Sequence, residues 1–408
     1  MSLEKLTPVL AAKLAELKKA GTLKGAEKVT VGVKPANGRF GPRYLLAGQG
    51  DREFLKMNSN SYLGLSEHPE VVRAEEEASR LFGAGPGAVR FISGTFQPHV
   101  ELEKRLAEFH GREAAMIFSA AYATVMGILP QLIDKDTVVL SDALNHNCII
   151  NAVRLARPAA KGIYRHLDMA DLEDQLAQNI DNGKRVIVVT DGVFSMRGDF
   201  AQLDEIAAIC SDFLDSYEQG VILVVDDSHG IGACGMTGRG TEEYTRGRAD
   251  VLIGTLGKAL GVNGGYLVSS KTLIDFLRQT SPSYIYSNPI TPAEAAAAMK
   301  SLEILDSPQG ISLLDRIRML TKRFEDGLVS LGYEIISSEN PIVPLMVRDT
   351  AKTTELAAFL FASNILATGL NFPVVPKGDE EIRFQVSASH TEADIDYVLE
   401  VLERFKQI

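Results

Sequence analysis

Paired cysteines, long apolar runs and an excess of positive charge are what this sequence lacks. Cys148, Cys210 and Cys234 are odd in number and share no C-x-x-C spacing, which argues against a disulfide framework and supplies no zinc-type ligand set, so no metal is expected. No stretch approaches the roughly 20 apolar residues that cross a bilayer, and the N-terminus carries no signal-peptide pattern, so a cytoplasmic location with no membrane partner is expected. Lys+Arg number 42 against 53 Asp+Glu, a formal net charge of −11, which disfavours nucleic acid as a partner. No internal repeat or low-complexity segment is present. What remains, 408 residues that are 45% hydrophobic and 23% charged, is an ordinary globular composition, long enough for two domains and suited to small-molecule chemistry.

Leu10, Leu14 and Leu17 share one helical stripe within residues 3–20, with Gly21 as a stop; this predicts an N-terminal helix lying on another surface. From about residue 100, short apolar runs at 114–118, 138–140, 186–189, 221–225, 251–253 and 266–268 alternate with stretches of helical period, such as Leu203, Ile206, Ala207 and Cys210. Apolar strands separated by helices are what a mostly parallel sheet covered on both faces requires. After Ser287-Asn288-Pro289-Ile290-Thr291-Pro292 the pattern becomes α+β, with strands at 333–336, 342–347 and 382–386 and a closing helix at 392–406. The expected fold class is α/β, with an N-terminal helix and arm over 1–57, a large domain over 58–291 and a smaller α+β domain over 292–408.

Two segments carry chemistry. In the first, an apolar run from Val221 ends in Asp226-Asp227-Ser228-His229, polar groups at the carboxyl edge of a parallel sheet, where ligands of open α/β sheets bind. Alone it also fits a Mg²⁺ site or a helix cap. In the second, a strand from Val251 runs into Thr255-Leu256-Gly257-Lys258-Ala259-Leu260-Gly261-Val262-Asn263-Gly264-Gly265. A lysine is ordinarily a solvated surface charge, but here the glycines remove side-chain bulk around Lys258, as a backbone closely approached by a ligand needs. Thr255 adds a hydroxyl of the kind that binds phosphate. Together they suit pyridoxal 5'-phosphate (PLP): a lysine holds the aldehyde as a Schiff base, while an aspartate keeps the pyridine nitrogen protonated so that the ring accepts electrons. The run Gly83-Ala84-Gly85-Pro86-Gly87 has the wrong spacing for a dinucleotide fingerprint and follows a helical stretch, which excludes NAD.

From Asn60-Ser61-Tyr62-Leu63-Gly64-Leu65 to Arg383-Phe384-Gln385-Val386-Ser387-Ala388-Ser389-His390 the chain resembles the α-oxoamine synthases. These are fold-type-I PLP enzymes that condense an amino acid with an acyl-CoA and include glycine C-acetyltransferase, 8-amino-7-oxononanoate synthase, serine palmitoyltransferase and 5-aminolevulinate synthase. The resemblance implies that Lys258 carries the cofactor and removes the amino acid's α-proton, and that Asp226 pairs with the ring nitrogen. It implies that His229 and Ser195 lie near the phenolic oxygen and that His146 stacks on the exposed ring face. Backbone N–H groups of Ala121 and Tyr122, at a strand-to-helix turn, are implied by the resemblance to take the phosphate. Where relatives carry Asn shortly after this turn, this chain has Thr124-Val125. Ser287 and Asn288 are implied to reach the phosphate in a neighbouring subunit, hence a homodimer with shared active sites. Arg383, helped by Asn60, is implied to bind the amino-acid carboxylate, which a planar guanidinium suits better than a lysine.

Substrate choice is read from finer resemblances. Val89-Arg90-Phe91-Ile92, Gly238-Arg239-Gly240-Thr241, Ser287-Asn288 and the segment from Phe372 to Lys377-Gly378 resemble glycine C-acetyltransferase, so glycine with acetyl-CoA is the first expectation. The loop after Lys258 is one residue shorter than in that enzyme and has the length of the other branches; Arg197 stands where relatives usually carry an acid. Alanine with pimeloyl-CoA, as in 8-amino-7-oxononanoate synthase, is the second reading, ahead of a serine palmitoyltransferase-like enzyme. An aminotransferase of the same fold and a non-catalytic partner subunit are the readings from other classes.

Overall fold

Seven apolar segments line up as one sheet in the computed structural model, which describes residues 3–20, 23, 26–372 and 374–407. In chain order they are β1 (Ala114–Phe118), β2 (Thr137–Asp142), β3 (Ala160–Tyr164), β4 (Arg185–Asp191), β5 (Val221–Asp226), β6 (Val251–Thr255) and β7 (Gly265–Ser269). Their spatial order is β1-β7-β6-β5-β4-β2-β3. β2, β3, β4, β5 and β6 run parallel, whereas β7 is antiparallel to both neighbours. Six of the seven are the runs expected from the sequence. β3 is the addition: its only fully buried residue is Tyr164, as befits an edge strand, so no apolar run marks it.

The helices between the strands exist for the reason the pattern gave. Val125, Ile128 and Leu129 of helix Ala121–Leu132 and Ile149 and Val153 of helix Asn147–Ala156 bury against Val139, Ile187, Val224, Val251, Ile253 and Leu267 of the sheet. Each such side chain contributes about 1.5–3 kcal/mol by leaving water. Parallel strands linked by helices bring their carboxyl ends to one edge, and that edge gathers the polar residues.

The chain divides into two units. The larger, Asn60–Thr321 with Ser338–Pro341, holds the seven-stranded sheet. The other comprises Met1–Ser59, Lys322–Ser337 and Ile342–Ile408. It contains a four-stranded antiparallel sheet ordered Glu334–Ile335, Ile342–Met346, Glu381–Gln385, Thr368–Leu370, and the closing helix Glu392–Lys406. The larger unit continues past the boundary expected at 292, because helix Pro292–Leu305 buries nine side chains, Ala295, Ala298 and Leu302 among them, and packs on helices Pro69–Phe82 and Gln97–Phe109. The N-terminal helix forms over Leu3–Lys19, but none of its residues is buried; Leu10, Leu14 and Leu17 are 47%, 56% and 45% exposed, so the described residues do not supply the expected seat for it. Gly21, the expected stop, lies outside the described residues. No described helix is long and apolar enough to cross a membrane.

Candidate active site

A cleft at the carboxyl edge of the sheet is lined by Ala121, Tyr122, His146, Cys148, Asp191, Val193, Ser195, Asp226, Ser228, His229 and Lys258. Seven of these are candidates named from the sequence. They come from separate segments, and the sheet unites them: Asp226 ends β5, Lys258 lies on the turn between β6 and β7, and Ala121 opens the helix after β1.

Lys258 is half-buried in a tightly bonded turn. Leu256 N–H donates to Gly264 O (2.9 Å), Val262 N–H to Leu256 O (2.9 Å) and Gly261 N–H to Lys258 O (3.0 Å). Gly261 has φ +71°, and a Cβ there would lie 2.3 Å from Ser66 N, so only glycine fits. Gly265 pairs with Phe118 on one side and Thr255 on the other, and a Cβ on it would lie 2.4 Å from Ala121 N. The lysine turn and the start of helix Ala121–Leu132 are therefore registered against each other by one residue.

Helix Ala121–Leu132 begins after extended Ala120 without a side-chain cap. First-turn N–H groups have no partner inside a helix, and the helix dipole places positive charge there; an anion is the natural complement.

Asp191 and Asp226 end neighbouring strands and are paired in register. Asp226 Oδ1 accepts Ser228 N–H (3.1 Å). Burial, then the adjacent Asp226 charge, hold the Asp191 carboxyl well above the usual carboxylate range, against the pull of Lys258. Asp191 Oδ2 accepts His146 N–H (3.1 Å), and Asp191 N–H donates to Asn145 Oδ1 (2.8 Å). The His146 ring caps the helix Asn147–Ala156: its Nδ1 accepts Cys148 N–H (3.3 Å). A backbone N–H only donates, so the neutral ring carries its proton on Nε2. Burial and the Lys258 charge push the His146 pKa down, with Asp226 opposing. Burial, then Asp226 and Asp191, raise the Cys148 thiol, which stays protonated. His229 Nδ1 is hydrogen-bonded to the buried Tyr62 hydroxyl (2.7 Å), and its carbonyl accepts from Asn340 Nδ2 (3.3 Å).

Other sequence candidates are not among the cleft residues. Thr255 Oγ1 donates to Gly264 O (3.2 Å) and accepts Gly257 N–H (3.1 Å), so its hydroxyl shapes the lysine turn. Ser287 is half-buried and Asn288 exposed, on the segment following helix Pro282–Ile285. Asn60 is half-buried and opens the larger unit. Arg383 is half-buried on strand Glu381–Gln385 of the other unit, opposite Pro344 and Thr368.

Cys148, Asp191, Val193 and Ser228 line the cleft and were not singled out beforehand. Asp191 had a signal, an apolar strand ending in an acid, the same that marked Asp226. Ser228 Oγ and Asp191 Oδ1 are buried without a hydrogen-bond partner. Orphaned polar atoms, a half-buried lysine, a strand-end carboxylate and an uncapped helix together fit a phosphorylated aromatic cofactor that carries an aldehyde.

Residues 52–402 match the aminotransferase class I and II family. The 8-amino-7-oxononanoate synthase of Thermoanaerobacter pseudethanolicus is 38% identical over 394 residues, 96% of this chain and 95% of its relative. That of Bacillus subtilis is 38% identical over 86% of this chain and 88% of its own length. Among solved structures, the serine palmitoyltransferase of Sphingomonas wittichii superposes with a TM-score of 0.87 at 26% identity, covering 99% of this chain and 98% of that one. The chain belongs to the aminotransferase class I and II family and, within it, to the α-oxoamine synthases. It is a PLP-dependent acyltransferase.

Proposed function

We propose that this enzyme condenses alanine with pimeloyl-CoA, releasing CoA and CO2 and forming 8-amino-7-oxononanoate. The carrying observation is that relatives of that name match at 38–39% identity over most of their length, with the solved serine palmitoyltransferases at about 26%. The length of the turn after Lys258 agrees with it. Glycine with acetyl-CoA, the first expectation from the sequence, keeps the support of the local motifs around Arg90, Arg239 and Lys377 but of none of these relatives.

PLP, when bound, supplies an electron-accepting ring that acidifies the proton on the amino acid's α-carbon. In this reading Lys258 Nζ would hold the cofactor through its aldehyde and is the base assigned to the amino acid's α-proton. Asp226 holds a proton on the ring nitrogen, and the first-turn N–H groups of Ala121 and Tyr122 hold the phosphate. His229 and Ser195 are assigned the phenolic oxygen. His146, neutral with its proton on Nε2, covers the ring face and offers a donor to the substrate. Arg383, with Asn60 as helper, is assigned the amino-acid carboxylate. A cytoplasmic homodimer in which Ser287 and Asn288 reach the neighbouring subunit's phosphate completes the proposal.

The test is a thiol-release matrix of alanine, glycine and serine against pimeloyl-, acetyl- and palmitoyl-CoA. Alanine with pimeloyl-CoA is expected to give the highest kcat/KM; a clear win for glycine with acetyl-CoA overturns the substrate assignment and leaves the lysine chemistry standing.

A further inference from the structure

His166, outside the cleft and assigned no role above, sits between two carboxylates. Its Nδ1 lies 2.9 Å from Asp142 Oδ1 and its Nε2 3.3 Å from Asp199 Oδ2, and its ring meets Phe194 edge-on with centroids 4.4 Å apart. One carboxylate on each nitrogen calls for an N–H on each, which is the imidazolium.

The two acids belong to the two loops that deliver cleft residues. Asp142 closes β2 and shapes the turn leading to His146: Oδ1 accepts Leu144 N–H (2.8 Å) and Oδ2 accepts Leu167 N–H (3.1 Å). Asn145 Nδ2 then donates to Val189 O (2.7 Å). Asp199 closes the loop carrying Ser195: Phe194 N–H donates to Asp199 O (2.9 Å) and Gly198 N–H to Phe194 O (2.8 Å). We propose that His166 is a positioning residue, a cationic tether that fixes the His146 turn and the Ser195 loop relative to each other so that both side chains meet the cofactor. This rests on the roles proposed above for His146 and Ser195.

The charged groups around the ring are Asp142 from β2, and Asp199 with Arg197 from the loop; Arg197 Nε shares Asp199 Oδ2 at 2.8 Å. Tyr164, at the end of β3, is buried and neutral. Burial opposes charging of the ring, yet the bonds to Asp142 and Asp199 prevail and raise the His166 pKa to about 9. A group whose pKa rises on folding stabilises fully below its unfolded value near 6.5, and that contribution is lost as pH rises through about 9.

The experiment measures PLP dissociation constants by absorbance titration at pH 7 and pH 10, with thermal midpoints of the PLP-free protein. At pH 7, His166→Gln is expected to weaken PLP binding about tenfold, roughly one 1.4 kcal/mol step, with the ratio to the parent falling towards one at pH 10. The PLP-free parent should lose about 4 °C relative to His166→Gln over the same interval. Asp199→Asn cuts the tether from its other end and should weaken binding similarly, which keeps the test open if His166→Gln folds poorly. If Ser195→Ala and His146→Ala leave PLP affinity unchanged, the site reading fails and the tether with it. If those two weaken binding while His166→Gln and Asp199→Asn match the parent, or if the ratio does not change with pH, the tether alone is overturned.

Discussion

Asp191 and Asp226 stand side by side at the ends of adjacent parallel strands, both lining the cleft, and burial, then the neighbouring Asp226 charge, raise the pKa of Asp191 well above the usual carboxylate range. Their amides should therefore behave differently. Asp191→Asn keeps an oxygen for His146 N–H at a position where burial already disfavours a charge, so kcat should stay within about threefold of the parent. Asp226→Asn removes the charge proposed to hold the ring nitrogen protonated and should cost at least about 10²-fold in kcat, the usual scale for one well-placed electrostatic group. Steady-state thiol release on both variants checks this; equal losses would contradict the division of roles.

Lys258→Ala should abolish the borohydride-stable attachment of PLP to the protein, read by mass spectrometry. Turnover should fall by more than about 10³-fold, since both the attachment point and the proposed base are lost. A variant that still turns over at the parent rate removes the proposed chemistry.

Asp227 gives a pH test that is independent of catalysis. Its carboxylate accepts Thr241 Oγ1–H (2.6 Å) and Thr241 N–H (2.7 Å), but complete burial prevails and raises its pKa from 3.8 to about 7. The folded state thus retains a proton that the unfolded chain releases, and this contribution is lost as pH rises from 4 to 7. Asp227→Asn should flatten that dependence: the stability difference between parent and variant in urea should change by on the order of 2 kcal/mol over this range. A constant difference would show that Asp227 does not titrate in the interval.

Tyr62→Phe removes the 2.7 Å bond to His229 Nδ1 inside the larger unit. A cost of about 1–2 kcal/mol in unfolding free energy is expected, together with a shifted absorbance maximum of the bound cofactor. Loss of stability with an unchanged spectrum would separate His229 from the cofactor.

Much of the large sheet was legible because parallel strands buried on both faces read as unbroken apolar runs; β5 and β6 are of this kind, and the lysine turn announces itself by its glycines. β3 was not legible, since Lys161 and Gly162 on an edge strand break the apolar run. Thr368–Leu370, a short partly exposed strand, escaped for the same reason. Asp191, Ser228 and Cys148 enter the cleft through strand register and helix capping, and His166 through pairing with acids from two distant loops; such relations exist only once the chain has folded. The N-terminal leucine stripe was legible as a helix, but periodicity says nothing of what, if anything, it rests on.

Lys258 occupies the sheet's single antiparallel turn between consecutive strands, β6 and β7, while Asp226 reaches its place through parallel crossovers. Hairpin closure is local and fast; parallel pairing waits on long loops. During refolding the amine proposed to capture the cofactor should thus be set before the carboxylate proposed to tune it, so capture and tuning become separable in time, the first visible as a yellow species and the second as a later shift of its band.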